Sequence, residues 1–296
     1  MSTLGISTAF LSALFMGTIG IFAKKTGLAA EVITFFRLGL GAVFMLLFLL
    51  CTRKQQLLRQ WPTWPVLFNG VMLTGLIIFY VQAMNYTTMA NAIMLVYLAP
   101  LTASVFAHFF LKERLDWRST LLIGLALFGF AMMMEFRIDT AGSTKQMLGI
   151  VLGLLSMGCY AAFILVNRII DHRIHVYTRT FYQLLTGGLI MLPLFLINRP
   201  ELPAWTWPWL FGTGLIPGFL AILCAVIALN VLPAATFGTL AYIEPLAVII
   251  FGWTLFGETL SFLQTGGCLT IIASSIMKTL LITAQKPPVE RLSISQ

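Results

Sequence analysis

Ten apolar runs of roughly 20 residues follow one another along this chain, joined by short loops, and each matches the length a helix needs to cross a bilayer core. They fall at residues 4–23, 32–51, 65–84, 91–110, 119–135, 147–167, 179–197, 208–229, 235–256 and 265–283. The runs are continuous rather than alternating. That pattern favours helices over a barrel, the other structure that satisfies its backbone inside lipid. Composition agrees: 59% of the 296 residues are hydrophobic and 9% are charged, against about 25% charged in a water-soluble domain. The loops leave no room for a soluble domain. The expected fold is an all-α integral membrane protein with ten transmembrane helices.

The net charge is +8, which raises nucleic acid as a partner. Its distribution argues otherwise. With the N-terminus cytoplasmic, twelve Lys and Arg residues fall on the cytoplasmic side, among them Arg53, Lys54, Arg168, Arg173 and Arg179, against five on the other. This bias places both termini inside. The basic excess then reads as a topology signal and a contact for anionic membrane lipids. No basic residue precedes the first run and no small-residue cleavage site follows it, so it is expected to stay as a helix. Cys51, Cys159, Cys224 and Cys268 fall singly in different runs and lack metal-ligand spacing. The proline-containing polar tail, 285–296, reads as disordered. No P-loop, H-E-x-x-H or nucleophile elbow occurs. Neither an enzyme nor a cofactor is expected.

The chain repeats itself. Residues 97–113 read YLAPLTASVFAHFFLKE and residues 242–258 read YIEPLAVIIFGWTLFGE, with Tyr, Pro and Glu in register. Leu4-Gly5-Ile6 returns as Leu148-Gly149-Ile150, and Thr34-Phe35 as Thr180-Phe181. The shift is nearly constant across three helix pairs. The expected units are therefore residues 1–140 and 141–284, each with five helices. Five is odd, so the second half enters the membrane from the opposite side. Inverted repeats are an architecture of alternating-access transporters, with the site near the midplane. Channels can also be inverted duplications.

These features resemble the drug/metabolite transporter superfamily, specifically the EamA family of ten-helix permeases. The matching residues are Pro100 and Pro245 in helices four and nine, the glutamates of LKERL (111–115) and FGETL (256–260), and Arg37 in TFFRLGLGA. The resemblance implies a secondary transporter of the bacterial inner membrane, often an exporter of amino acids, metabolites or drugs. It names no particular small-molecule substrate and leaves monomer and homodimer both open. An uptake permease or channel is the alternative. Helix seven carries Gln183 where helix two carries Arg37, so a charge there belongs to the first half alone.

Candidate substrate or coupling residues follow from polarity inside apolar runs. Tyr97, Pro100, Ser104 and His108 are spaced as one stripe on helix four, and Tyr242, Pro245, Ile249 and Trp253 as its counterpart on helix nine. Each stripe reads either as cavity wall or as ordinary packing. The two prolines, with Pro217 in helix eight, read as kinks or hinges, because proline frees the carbonyl four residues back. Glu244 sits near mid-membrane. It reads as a proton carrier, as a receiver of a substrate amine, or as a protonated acid bonded across helices. On a straight helix it would point away from Tyr242. Arg37 lies nearer the outer end and can pair or snorkel. Tyr80 and Tyr160 are aromatic candidates for the cavity wall. Glu113 and Glu258 read as structural or gating residues beside helix N-termini, and Asn85 and Asn230 as turn residues.

Overall fold

Helix is the only regular structure that satisfies its backbone within one apolar run, and the chain forms it throughout. The computed structural model describes residues 3–87, 89–112, 117–136, 144–171, 173–198, 200–257 and 261–284, and no strand occurs among them. The apolar helices are α1 (Thr3–Thr26), α2 (Ala30–Cys51), α3 (Trp64–Met84), α4 (Asn91–Leu111), α5 (Trp117–Met133), α6 (Gln146–Ile169), α7 (Val176–Asn198), α8 (Ala204–Val231), α9 (Ala234–Leu255) and α10 (Phe262–Ala284). Eight of them, all but α5 and α10, are long and apolar enough among the described residues to cross a membrane. The protein is a multi-pass membrane protein.

Helix ends follow local chemistry. Gly27 ends α1 and Gly257 follows α9, both in the left-handed conformation that glycine adopts without a Cβ penalty. Pro65 and Pro208 lie in first turns, where a missing N–H costs nothing. The expected tail and Glu113, Glu258 and His172 lie outside the described residues.

Among the described residues, four helices are interrupted. In α1, a turn at Thr18 separates Thr3–Gly17 from Ile19–Thr26. In α4, a turn at Tyr97 and Leu98 separates Met89–Val96 from Ala99–Leu111. In α9, Tyr242 separates Ala234–Ala241 from Ile243–Phe256. In α8, Gly214–Leu220 is π-helical and contains Pro217. A wider turn accommodates the proline ring and its missing N–H.

Helix packing crosses between the halves. α2 packs on α7, α4 on α9 and α5 on α10. Several other contacts come in exchanged pairs: α1 meets α8 while α3 meets α6, and α1 meets α9 while α4 meets α6. Small residues permit the closest approaches. Gly149 and Gly153 of α6 sit against Thr87 and against Leu95 of α4. Gly129 of α5 faces Gly267 of α10. Gly214 and Gly218 of α8 lie on the α2 backbone at Leu40 and Arg37. Packing of this kind, rather than a hydrophobic drive out of water, associates helices in lipid.

Candidate functional site

The interruptions of α4 and α9 meet. A Cβ on Gly238 would come within 2.9 Å of the Pro100 Cβ, so glycine is what lets the two helices cross there. Beyond the crossing, the Tyr242 hydroxyl donates to the Tyr97 carbonyl at 2.6 Å, across 145 residues of sequence. That separation equals the repeat shift, so the bond joins corresponding positions of the two halves. The turn explains the free acceptor. Leu98 N–H closes a tight turn on Leu95, and Pro100, three residues after Tyr97, has no N–H to offer its carbonyl. The carbonyl taken up by the neighbour is thus that of Tyr97, one place beyond the carbonyl expected from proline geometry alone. Both tyrosines are buried, at 6% and 0% exposure. Their rings lie 5.9 Å apart, with Phe130 of α5 4.6 Å from Tyr97.

The symmetry breaks at Glu244. The Tyr97 hydroxyl bonds the Glu244 carboxylate. Tyr242 and Glu244 therefore meet at one residue, Tyr97, although a straight helix would separate them by about 200°. Tyr242 reaches the carbonyl of Tyr97 and Glu244 its hydroxyl, at opposite ends of that residue. α1 supports Glu244 from behind: a Cβ on Gly17 would lie 3.0 Å from the Glu244 carbonyl and 2.7 Å from the Ala247 Cβ.

Arg37 turns inward. Its Nε donates to the Pro217 carbonyl in the π-helical turn of α8 at 3.1 Å, and its terminal nitrogen meets the Met16 sulfur of α1. Its guanidinium and the Glu244 carboxylate attract each other across the interior without direct contact. Tyr80 of α3 and Tyr160 of α6 both lie within electrostatic reach of Glu244, and Tyr160 also within reach of Arg37. Arg37, Tyr80, Tyr160 and Glu244 lie deep in the bundle yet each keeps accessible surface.

Three of the expected residues do not join this group. His108 is exposed, although Ser104, one turn earlier, is buried. Steps of four residues drift about 40° each on a helix, so the buried face passes from Pro100 through Ala103 to Ala107 and leaves His108 outside. The same drift carries Trp253, 58% exposed, off the face that begins at Pro245. Gln183 is fully buried but bonded elsewhere: its amide donates to the Asn167 side chain of α6 at 3.1 Å. The Asn167 amide in turn donates to the Phe163 carbonyl.

Sequence reasoning missed Gly17, while Gly214 and Gly218 read as a G-x-x-x-G close-packing pair. It also read Arg179 only as a topology charge. Arg179 is 1% exposed and bonds Asn230, a residue expected to serve only the turn. No local signal marks that burial. Arg179 lies at the very edge of an apolar run, where a cation normally reaches the interface.

Comparison with known proteins places these features. The EamA-like transporter family profile matches residues 3–135 and 147–280. An uncharacterized transporter of Archaeoglobus fulgidus is 26% identical over 92% of this chain and 95% of its own length. The threonine/homoserine exporter RhtA of Escherichia coli K12 is 27% identical over 84% of this chain and 82% of its own. The pseudopaline exporter CntI of Pseudomonas aeruginosa is 23% identical over 92% and 94%. A solved crystal structure shares the fold with a TM-score of 0.82, covering 94% of this chain and 98% of its own at 19% identity. The chain belongs to the EamA-like transporter family.

Proposed function

We propose that this protein is a secondary carrier that exports small zwitterionic metabolites, of the amino-acid class, across the bacterial inner membrane by alternating access. One observation carries the reading: Arg37 and Glu244, opposite charges deep in the bundle, lie within electrostatic reach of each other without a direct ion pair. An unpaired buried charge is costly, so such an arrangement is suited to a ligand that supplies both complements. A carboxylate fits Arg37, whose planar fork matches it. An ammonium fits Glu244. Tyr80, Tyr97 and Tyr160 wall the site and orient the ligand. A proton replaces the ammonium on Glu244 when substrate leaves, which makes that exchange the coupling step.

The architecture proposed with it has ten spans in two inverted five-helix halves and cytoplasmic termini. The exchanged helix pairs support this, since a two-fold axis requires that contact of i with j be answered by contact of j with i. The interrupted helices near the crossing are the usual place for such a site. Export, as against uptake, draws support from the names of RhtA and CntI.

The test is counterflow in proteoliposomes with a panel of labelled α-amino acids, with and without an imposed pH gradient. Saturable, stereoselective exchange that responds to the gradient is expected. Flux that stays linear with concentration would replace the carrier by a channel, and no flux of any zwitterion would sink the substrate assignment.

A further inference from the structure

The end of the bundle where α7 begins is held by a device that the central site does not use. α8 stops at Val231, and the last carbonyls of a helix lack partners within it. Two arginines from neighbouring helices meet that last turn. Arg168, at the end of α6, donates to the Leu229 carbonyl at 3.1 Å. Arg179, on the first turn of α7, donates to the Asn230 side chain at 3.1 Å. Arg179 also donates to the carbonyls of Ile174 and Asp171 at 2.9 and 2.7 Å, fixing the loop between α6 and α7. Cations at a helix C-terminus also oppose its dipole.

The same end of α7 holds the loop after α2. Thr178 donates to the Leu57 carbonyl and Tyr182 to the Leu58 carbonyl, each at 3.1 Å. Lys54 of that loop lies 5.0 Å from the Tyr177 ring.

The first half keeps a cation at only one of the two positions. At the shifts set by Leu4/Leu148 and Thr34/Thr180, Lys24 and Ile33 stand where the second half has Arg168 and Arg179. Asn85, the counterpart of Asn230, donates to Gln82 on its own helix. The two ends of an otherwise exchangeable pair of halves are therefore fastened differently. Only two residues, Leu232 and Pro233, separate α8 from α9, which carries Glu244. Release of the last turn of α8 would free the start of α9 to move.

We infer that Arg168 and Arg179 form a latch that holds the cytoplasmic entrance shut, and that its release from Leu229 and Asn230 admits substrate from that side. The latch rests on the carrier reading and on its orientation. It also assigns the two arginines a gating role rather than a substrate contact.

Paired reporters test it. In a chain whose four cysteines are replaced by serine, T239C reports the latched end and T34C the other. Thr239 lies five residues before Glu244, about 7.5 Å nearer the latch on the helix rise. Labelling uses a membrane-impermeant maleimide on inside-out and right-side-out vesicles. R168Q and N230A should raise cytoplasmic labelling of T239C about tenfold, the scale of one lost charge-assisted hydrogen bond, and lower labelling of T34C. R179Q should do the same, and the milder pair carries the test if R179Q does not fold. R173Q, on an exposed loop residue, should change neither. Unchanged labelling in the milder pair overturns the latch, as does a parallel rise at both reporters, which would mean general loosening. Labelling of T239C from the periplasmic side also overturns it. The two readings fail separately. Saturable counterflow with unresponsive reporters removes the latch alone, while reciprocal labelling without transport of any zwitterion removes the carrier reading.

Discussion

Replacing Glu244 by Gln isolates the charge that the proposed site depends on. Gln has nearly the same shape and still accepts from the Tyr97 hydroxyl, so the α4–α9 contact survives in a weaker form. What disappears is the ionic part of the carboxylate's hydrogen bonds. A bond to a charged group contributes about 1.5–3 kcal/mol and a neutral one about 0.5–1.5, so each lost ionic component weakens binding by about 1–1.5 kcal/mol. At 1.4 kcal/mol per decade, the half-saturation concentration for an α-amino acid should rise about tenfold. The decisive assay compares counterflow of an α-amino acid with that of its N-acetyl derivative, which keeps the carboxylate and lacks the ammonium. E244Q should weaken transport of the first and leave the second within about twofold. R37Q should show the reverse preference when the amino acid is compared with its methyl ester. Equal losses for the charged and neutral-amine substrates would refute the assignment of Glu244 to the ammonium.

Three further outcomes are expected. Y242F removes the donor from the Tyr97 carbonyl at a fully buried position, which should lower stability by about 1–3 kcal/mol; thermal unfolding in detergent micelles measures it. G17A places a methyl 2.7 Å from Ala247 and 3.0 Å from the Glu244 carbonyl, and the overpacking should cost about 1–3 kcal/mol by the same measurement. His175, in the loop before α7, is held below its ordinary value by burial, then by Lys54 and Arg179, and its Nδ1 accepts from the Tyr177 N–H. A lowered histidine stabilises the fold while neutral, so its contribution is complete above about pH 6.5 and is lost as pH falls through the folded value. Hydrogen exchange at 173–177 should therefore quicken below about pH 6.5, and H175Q should flatten that dependence.

Much of the fold was legible because membrane burial is written in composition. Apolar runs marked the helices, and the lack of water in the bilayer left helix as the only reading for a continuous run. The prolines located the interruptions of α4, α8 and α9. The stripes were read less well, because a four-residue step was treated as one face while the helix turns every 3.6. His108 and Trp253, at the far ends of the two stripes, are exposed in consequence. The mismatch did not affect Tyr97, Tyr242 or Glu244, which lie close to the breaks.

The sequence by itself determined that this chain spans a membrane and that residues 97–113 and 242–258 repeat one phrase, in which Glu244 stands where the first copy has Ala99. Each is a property of residue type and spacing, which need no knowledge of what lies opposite. Only the tertiary structure decided which groups meet. It joins the Tyr242 hydroxyl to the Tyr97 carbonyl, turns Arg37 toward Pro217, and buries Arg179 against the end of α8. These partners come from helices far apart in sequence, and their contact depends on crossings set by small residues such as Gly218 and Gly238. A glycine in an apolar run looks the same whether it faces lipid or a neighbouring backbone. The packing partner makes the difference, and the partner is not local.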